Sequence, residues 1–595
     1  MNALVRASDC LNTTAITAAI VLGGLAGLLA SGVVTAAPRD PTLIGHWELR
    51  GDCMDSSGGD HHGVNRGAVL TPDAAAFDGA GGHIEVPAAA ALGLGSSDFT
   101  LSAWVRCAAG AGQAGDIVTK YDPEACRGLN LTVTASAPGY SSVSDARNLL
   151  FGIDNNVTGA WNDCGRPLPD NPLISTLIAY KGDLYTGIAD AKDPKDACHV
   201  YRYAGGRKWV DCGRVTPDLR TPSIYSIVVH EGSLYVGTGA WDWEKAWAGA
   251  TGPNHVYRYE GGTRWHDCGQ FGEGYRVMSL ASYKGKLYAA DDKQKIYRFD
   301  GDGRWTGCGQ IAAGTKLHSM MVFGGALWGA ANTTLHRFDG QSQWPIVGLF
   351  DAADINQIHT FGVYGGALYA GTWPVGRVLR YRADKDWVDC GVLGVPTDKF
   401  KINEVNELTT YNGKLYAGVI PLAEVWRYEN GTRWTLLKRL VPNPDYRGNA
   451  LPTWMRVPCL TVFQGRLYAG TSTCQGRTAN ANFATGAGTV FSWEAGKCVS
   501  YDDDLGTEWR HVAAVRDAGG KLRLYINGKR TAQSDAFDGS RFDLSNDRPL
   551  LIGSGPSNPF CGQIRDVRLY SRALASSAIA GLAQPFAGKS RHKSR

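Results

Sequence analysis

The chain has 595 residues, too many for one ordinary hydrophobic core, so two or three domains are expected. It is 44% apolar and 19% charged with a formal charge of +4, near neutral at this size, which gives no electrostatic footprint for nucleic acid. Its 76 glycines follow no collagen period and, with 18 Trp and 25 Tyr, point to many tight turns between short strands.

Arg6 precedes an apolar stretch from Ile16 to Ala37 that closes on the small residues Val34-Thr35-Ala36-Ala37. Residues 1–37 therefore read as an export signal, or as a membrane anchor if the segment is retained. Export makes disulfides chemically accessible. Of 14 cysteines, Cys10 lies in this segment and an odd number remains, so at least one thiol of the mature chain is unpaired.

Residues 42–155 follow as short alternating runs. They include His46-Trp47-Glu48-Leu49, Phe77-Asp78-Gly79, Ile84-Glu85-Val86 and Asp98-Phe99-Thr100-Leu101-Ser102-Ala103-Trp104-Val105. Asp55, Asp60 and Asp98 sit near turns and are candidate oxygen ligands for Ca²⁺, although Asp55 equally suits the capping of a turn.

Residues 156–499 carry a repeat. A β-like run ends in an aromatic, a Gly turn follows, then a Leu-Tyr or Leu-Trp pair, a variable loop, a Val-Tyr-Arg-Tyr-like run, and Trp-x-Asp-Cys-Gly. The pair recurs seven times, at Tyr185, Tyr235, Tyr288, Trp328, Tyr369, Tyr416 and Tyr468, with spacings of 40 to 53 residues. One copy shows four strand-like runs: Met278 to Tyr283, Lys286 to Ala290, Lys295 to Phe299 and Arg304 to Cys308. Four strands at this period is the signature of a propeller blade. The first Trp-x-Asp-Cys-Gly, Trp161 to Gly165, precedes the first pair, and the last copy lacks it. The stretch around Trp161 is thus expected to complete the last blade and remove an open edge.

Arg202, Arg258, Arg298, Arg337, Arg380 and Arg427 recur on the third strand; Asp163, Asp211, Asp267 and Asp389 recur on the fourth. Repetition around a ring speaks for ion pairs serving architecture. Cys164, Cys212, Cys268, Cys308 and Cys390 recur too, too far apart on successive blades for a disulfide, and read as small buried packing residues. Cys459 and Cys474, on adjacent strands of one blade, are candidates for a bridge. In blade length and Trp placement the segment resembles kelch-type and sialidase-type propellers. Gly261-Gly262-Thr263-Arg264-Trp265 departs from the sialidase Asp box in lacking its serine and aspartate, so sialidase chemistry is not carried over.

The positions that vary around the ring are those leading into each first strand. Seven residues before the closing aromatic stand Leu173, Ser223, Arg276, Lys316, Gln357, Glu404 and Arg456. Five before it stand Ser175, Tyr225, Met278, His318, His359, Asn406 and Pro458. Such divergence on a constant frame marks a central binding site. Arg276, Lys316 and Arg456 would favour an anionic group, with Gln357 and Asn406 as hydrogen-bonding partners. His318, His359 and Glu404 would supply acid–base chemistry if the protein is an enzyme. Trp241 and Trp243 in one loop and Trp373 in another offer indole faces for sugar rings.

Residues 500–585 bring Trp509-Arg510-His511-Val512, then Leu522-Arg523-Leu524-Tyr525-Ile526 with an Asn527-Gly528 hairpin turn, then Cys561-Gly562-Gln563-Ile564-Arg565-Asp566-Val567-Arg568-Leu569-Tyr570. The tail 586–595 is basic. In their order these motifs and those of 42–155 together resemble the laminin-G-like, concanavalin A-like jelly-roll family. The resemblance implies one β-sandwich split by an inserted seven-bladed β-propeller, hence an all-β protein. It also implies glycan or protein binding, often with Ca²⁺ at one rim. The function expected is therefore a secreted or cell-surface carbohydrate-binding protein. Its ligand would be an anionic polysaccharide or glycoconjugate, held by the propeller mouth and the sandwich rim. A polysaccharide lyase or glycosidase, and an extracellular protein-interaction scaffold, are the alternatives.

Overall fold

The computed structural model describes residues 40–584, apart from 111–114, 136–141, 170–172, 190–194, 241–251, 312–316, 351–353, 397–401, 443–453, 475–486 and 518, and apart from the side chains of 317, 318, 454 and 474. Along Phe99–Cys107, Leu101, Ala103, Val105 and Cys107 point into a core, while Trp104 and Arg106 take the opposite face, as the period of a strand requires. Two sheets close on that core. In the eight-stranded one, Phe99–Cys107 from the first flank lies between Arg510–Asp517 and Cys561–Tyr570 from the second. In the seven-stranded one, Asn148–Thr158 pairs with Ala495–Tyr501, so the chain leaves for the propeller and returns from it on neighbouring strands. Trp47, Phe99, Phe151, Val512 and Ile564 share one core, which neither flank could enclose alone. The hairpin at Asn527-Gly528 takes positive φ at both residues, 50° and 77°, the turn that the sequence signals.

Between these strands the described residues form seven four-stranded sheets. Each blade's first strand touches those of both neighbours, the first blade's touching the seventh's, so the ring is closed. The outer strand of the seventh blade is Asn162–Asp163, paired with Val490–Trp493; Trp161 stacks on Trp493 with centroids 5.5 Å apart. The split-sandwich and propeller fold class read from the sequence is thus the observed one.

The repeat residues hold blades together. Trp209, Trp265, Trp305, Trp344 and Trp434 each donate their indole N–H to the carbonyl of the cysteine on the preceding outer strand, Cys164, Cys212, Cys268, Cys308 and Cys390, at 2.8–3.0 Å. The glycine of Leu-Tyr-x-Gly allows close approach: a Cβ at Gly237 would stand 2.4 Å from Val277 of the next blade, and one at Gly418 2.2 Å from the Val457 carbonyl. Asp163, Asp211, Asp267 and Asp389 accept from the backbone N–H two residues on, closing their own turns. The third-strand arginines pair with other carboxylates, Arg202 with Asp183 and Arg337 with Asp384. Both sets serve architecture, but not as one repeated ion pair.

The five repeated cysteines are buried free thiols. Cys459 is free as well: it faces Gly470 across the strand pair, whereas Cys474 faces Trp454 near the far end of that pair, so the bridge considered above does not form.

The sandwich covers one face of the propeller. The turns joining first to second strands meet its seven-stranded sheet: Gly365 N–H donates to Pro556 (2.8 Å), Asn412 Nδ2 to Ala495 (2.9 Å), Gly465 N–H to Ser500 Oγ (2.8 Å) and Gly182 N–H to Asp502 (3.0 Å). Val143 runs parallel to the first strand of blade three, exchanging bonds with Leu280 and Ser282. A cavity of about 30 Å³ remains at this end of the channel, between Val133, Thr134 and Ser557 of the sandwich and Met321, Leu408 and Leu460 of the first strands.

Candidate functional site

The first strand of blade six runs from Glu404 to Tyr411. Its Tyr411 end docks on the sandwich, so Glu404 lies about 23 Å away, at the opposite face of the propeller. That face holds the starts of all the first strands and is the mouth of the channel. In six of the seven blades the first strand bulges at the same place, at Tyr225, Met278, His318, His359, Asn406 and the Val457-Pro458 pair. A bulge re-aims the side chain it carries. These are the residues five before the closing aromatic, which is why this offset diverges.

On the side of blades five to seven a polar cluster gathers around Glu404. Arg456 Nη1 donates to its Oε1 at 3.2 Å, His359 Nδ1 stands 3.3 Å from the same oxygen, and Asn406 Nδ2 bonds to it. His359 Nε2 meets Gln357 Oε1 at 2.6 Å. Glu404, Asn406, His359 and Arg456 are buried, whereas Gln357 is half-buried. Gln357 pairs across the strands with Trp373, also half-buried, whose indole nitrogen has no hydrogen-bond partner among the described residues. Burial raises the Glu404 carboxyl above its ordinary range, while the Arg456 charge and the Asn406 amide oppose the rise.

The other side is less polar. Leu173, Tyr225 and Met278 form one buried group with Ala189, and the Arg276 guanidinium lies over the Tyr225 ring at 4.7 Å. The mouth therefore has an apolar wall and a hydrogen-bonding wall. Arg456 faces Glu404 and Arg276 is stacked on an aromatic, while Lys316, the third cation expected at the mouth, lies outside the described residues.

Of the residues proposed from the sequence, Gln357, His359, Glu404, Asn406 and Arg456 are brought together, Trp373 adjoins them, and Arg276 stands across the ring. Lys316, Trp241, Trp243 and the side chain of His318 lie outside the described residues. Sequence reading passed over Glu407, fully buried on the same strand as Glu404. Its signal was available: four before the closing aromatic the ring reads Thr176, Ser226, Ser279, Ser319, Thr360, Glu407 and Cys459, with one carboxylate where five small hydroxyls and a thiol stand elsewhere. Glu407 acts on its neighbour, since burial first and then its charge push the Cys459 thiol up.

The proposed Ca²⁺ ligands do not gather. Asp55 accepts from the N–H groups of His46, Ser57 and His61 and from the Ser57 hydroxyl, which occupies both its oxygens within one turn. Asp60 is exposed, and Asp98 lies on the side of Arg516. Among the described residues no three His, Cys, Asp or Glu side chains cluster as a metal centre would.

These features define a seven-bladed propeller carried in a split concanavalin A-like sandwich. The laminin-G-type family described as the Concanavalin A-like lectin/glucanases superfamily matches residues 447–580. The match takes in the second half of the sandwich, whose first half stands some 340 residues upstream in the chain. No curated protein matches the sequence. Among solved structures the chain is similar to a streptogramin B lyase, at 10% identity over 57% of this chain and 98% of that one, with a TM-score of 0.41. It is similar to virginiamycin B lyase from Staphylococcus aureus, at 9% identity over 56% and 99%, TM-score 0.40, and to YCF48 bound to D1 peptide, at 12% over 57% and 97%, TM-score 0.38.

Proposed function

We propose that the chain is an extracellular carbohydrate-binding protein that seats a sugar at the channel mouth. The observation that supports this most is the convergence of Gln357, His359, Glu404, Asn406 and Arg456 at the end of the channel that the sandwich leaves uncovered. Amides, an imidazole and a shared carboxylate are the groups that bind hydroxyls, and Trp373 adds an apolar face beside them. The apolar wall of Leu173, Tyr225 and Met278 suits the less polar face of the same ring. An export signal or membrane anchor at 1–37, as read from the sequence, would fit such a role. The test is a glycan array with the full chain, comparing wild type with Gln357→Ala and Glu404→Gln. Both variants should lose the wild-type hits by about tenfold, the loss expected for one or two hydrogen bonds to a charged or buried partner. Hits that survive in both variants, with unchanged thermal stability, would remove the mouth as the binding site.

One observation favours an enzyme as a second reading: His359 and Glu404 are in direct contact, a pair from which a general base is made. Incubation of any bound glycan with the wild type then distinguishes the two. Appearance of unsaturated or shortened products that His359→Ala abolishes supports a lyase or glycosidase; intact glycan supports binding alone.

A further inference from the structure

The outward face of the eight-stranded sheet has two unlike ends. At one, Ala513, Val515, Tyr525 and Tyr570 are sealed with Leu574 and Ile579 beneath the short helix Ser576–Leu582. At the other, Trp104, His511 and Arg565 are cross-strand neighbours, with Trp104 edge-on to His511 at 5.6 Å. The Arg565 guanidinium lies over Trp104 at 5.7 Å and over Trp509 at 4.2 Å, and Arg106 lies over the same Trp509 at 5.4 Å. Arg106 is exposed and bonds to Gln563; Trp509 is half-exposed.

The charges here are not balanced. Burial lowers the Arg565 pKa, and Arg50 and Arg106 lower it further by repulsion. Asp73 and Asp566 act against them, but Asp566 is already held by His46 Nε2 at 2.7 Å and Arg568 Nε at 2.8 Å. Among the described residues Arg565 makes no hydrogen bond or ion pair through its side chain, and its Nε is buried without a partner. The indole N–H of Trp104, a residue only 7% exposed, is likewise buried without one. A guanidinium carries five donors, and leaving even one of them, here the Nε–H, desolvated and unmet is costly. Arginine stems do cover indoles for packing alone. Packing does not call for two guanidiniums on one indole, since each stack gains only about 0.5–1 kcal/mol against their mutual repulsion.

We propose that this patch binds the carboxylate or sulfate of an acidic sugar residue in a polysaccharide, with Arg565 as the forked donor, Arg106 flanking it and the sugar ring resting on Trp509. The anion supplies the acceptors that Arg565 lacks, and a fork against a planar anion is the geometry guanidinium favours. The anionic preference read from the sequence for the propeller mouth and the sandwich rim thereby gains a named seat on the sandwich. The proposal rests on the glycan-binding reading but not on the mouth.

The experiment measures binding of the full chain to polygalacturonate, heparin, dextran and duplex DNA at two salt concentrations. Wild type, Arg565→Ala, Arg106→Ala, Trp509→Ala and Gln357→Ala are compared. Polygalacturonate or heparin should bind the wild type more tightly than dextran does. Binding should fall about tenfold or more in Arg565→Ala and Arg106→Ala, with a shallower salt dependence, and by more in those two variants than in Gln357→Ala. Arg106 is exposed, so its removal leaves the fold intact and guards against a loss caused by unfolding of Arg565→Ala. No binding of either acidic polymer, equal loss of DNA binding across the same variants, or full retention in Arg106→Ala would overturn the proposal. Loss in Gln357→Ala alone would overturn it while leaving the mouth as the site.

Discussion

At the scale of single residues, the repeated tryptophan explains why the propeller sequence looks as it does. Trp209, Trp265, Trp305, Trp344 and Trp434 each reach back with their indole N–H to the previous blade's cysteine carbonyl, a relay running round most of the rim. Trp387 breaks the relay. The outer strand before it, Ile346–Leu349, carries no cysteine, Gly348 lies against the Trp387 nitrogen, and among the described residues that buried nitrogen has no partner. The two situations predict opposite costs. Trp265→Phe deletes a 2.9 Å bond and strands the Cys212 carbonyl, which should destabilise by about 1–2 kcal/mol. Trp387→Phe removes a donor that has no acceptor and should cost close to nothing, or stabilise slightly. Denaturant unfolding of both variants decides it: equal losses would mean that indole volume, not the bond, is what the motif conserves around the ring.

At the scale of elements, the seven Leu-Tyr pairs were legible because a strand that must pack at a fixed distance on its neighbour repeats its apolar residues and its glycine. The bulges were not legible. Tyr225, Met278, His318, His359 and Asn406 are of four different types, since a bulge is defined by what the partner strand lacks and leaves no mark on the bulged residue. The offset could therefore be found by counting, and the direction of the side chains could not. Asp55 left two uses open for a related reason: the oxygens that would bind Ca²⁺ are the same ones that accept a turn's N–H groups, and only the geometry shows which partners it takes. The clasp was legible because a missing motif at one end matched a spare one at the other. It is short, two paired residues with Trp161 on Trp493 and Trp493 Nε1 on the Gly159 carbonyl at 3.0 Å. Trp161→Ala should therefore remove an aromatic pair worth about 0.5–1.5 kcal/mol beyond its buried area and loosen the seventh blade first. Hydrogen exchange should quicken in Val490–Trp493 while Val277–Tyr283 in blade three keeps its protection. Uniform quickening of both strands would show that the ring opens as one unit and that the clasp is not its weak point.

At the scale of the whole molecule, the sandwich and the propeller meet across a seam that holds buried carboxyls. Asp154, on the strand that leads out to the propeller, is 3% exposed and accepts from the Tyr121 hydroxyl at 3.2 Å and the Val157 N–H at 3.3 Å. Burial raises its pKa to about 7, against the pull of those bonds and of Arg427 from blade six. Asp502, which holds the Gln464 N–H of blade seven at 2.9 Å, and Asp116, which holds the N–H groups of Ser557 and Asn558, are each raised to about 6 by burial as well. An unfolded aspartate titrates near 3.9, so between about pH 4 and 7 the folded seam binds protons that the unfolded chain has released. Stability from these groups is therefore fully present below pH 4 and declines as pH rises through the folded values, by on the order of 2–4 kcal/mol for Asp154 alone. Carboxyls held low, such as Asp566 and Asp145, act in the opposite direction but below that window, because their bonds are lost only as pH falls under 4. Asp154→Asn keeps the volume and the Tyr121 bond and cannot ionise. Its melting temperature should fall less than the wild type's between pH 5 and 8, and the two curves should cross toward greater stability of the variant at the alkaline end. Parallel curves would mean that Asp154 is ionised in the folded protein, with Arg427 close enough to hold the charge, and the seam would then be an ion pair between the two folds.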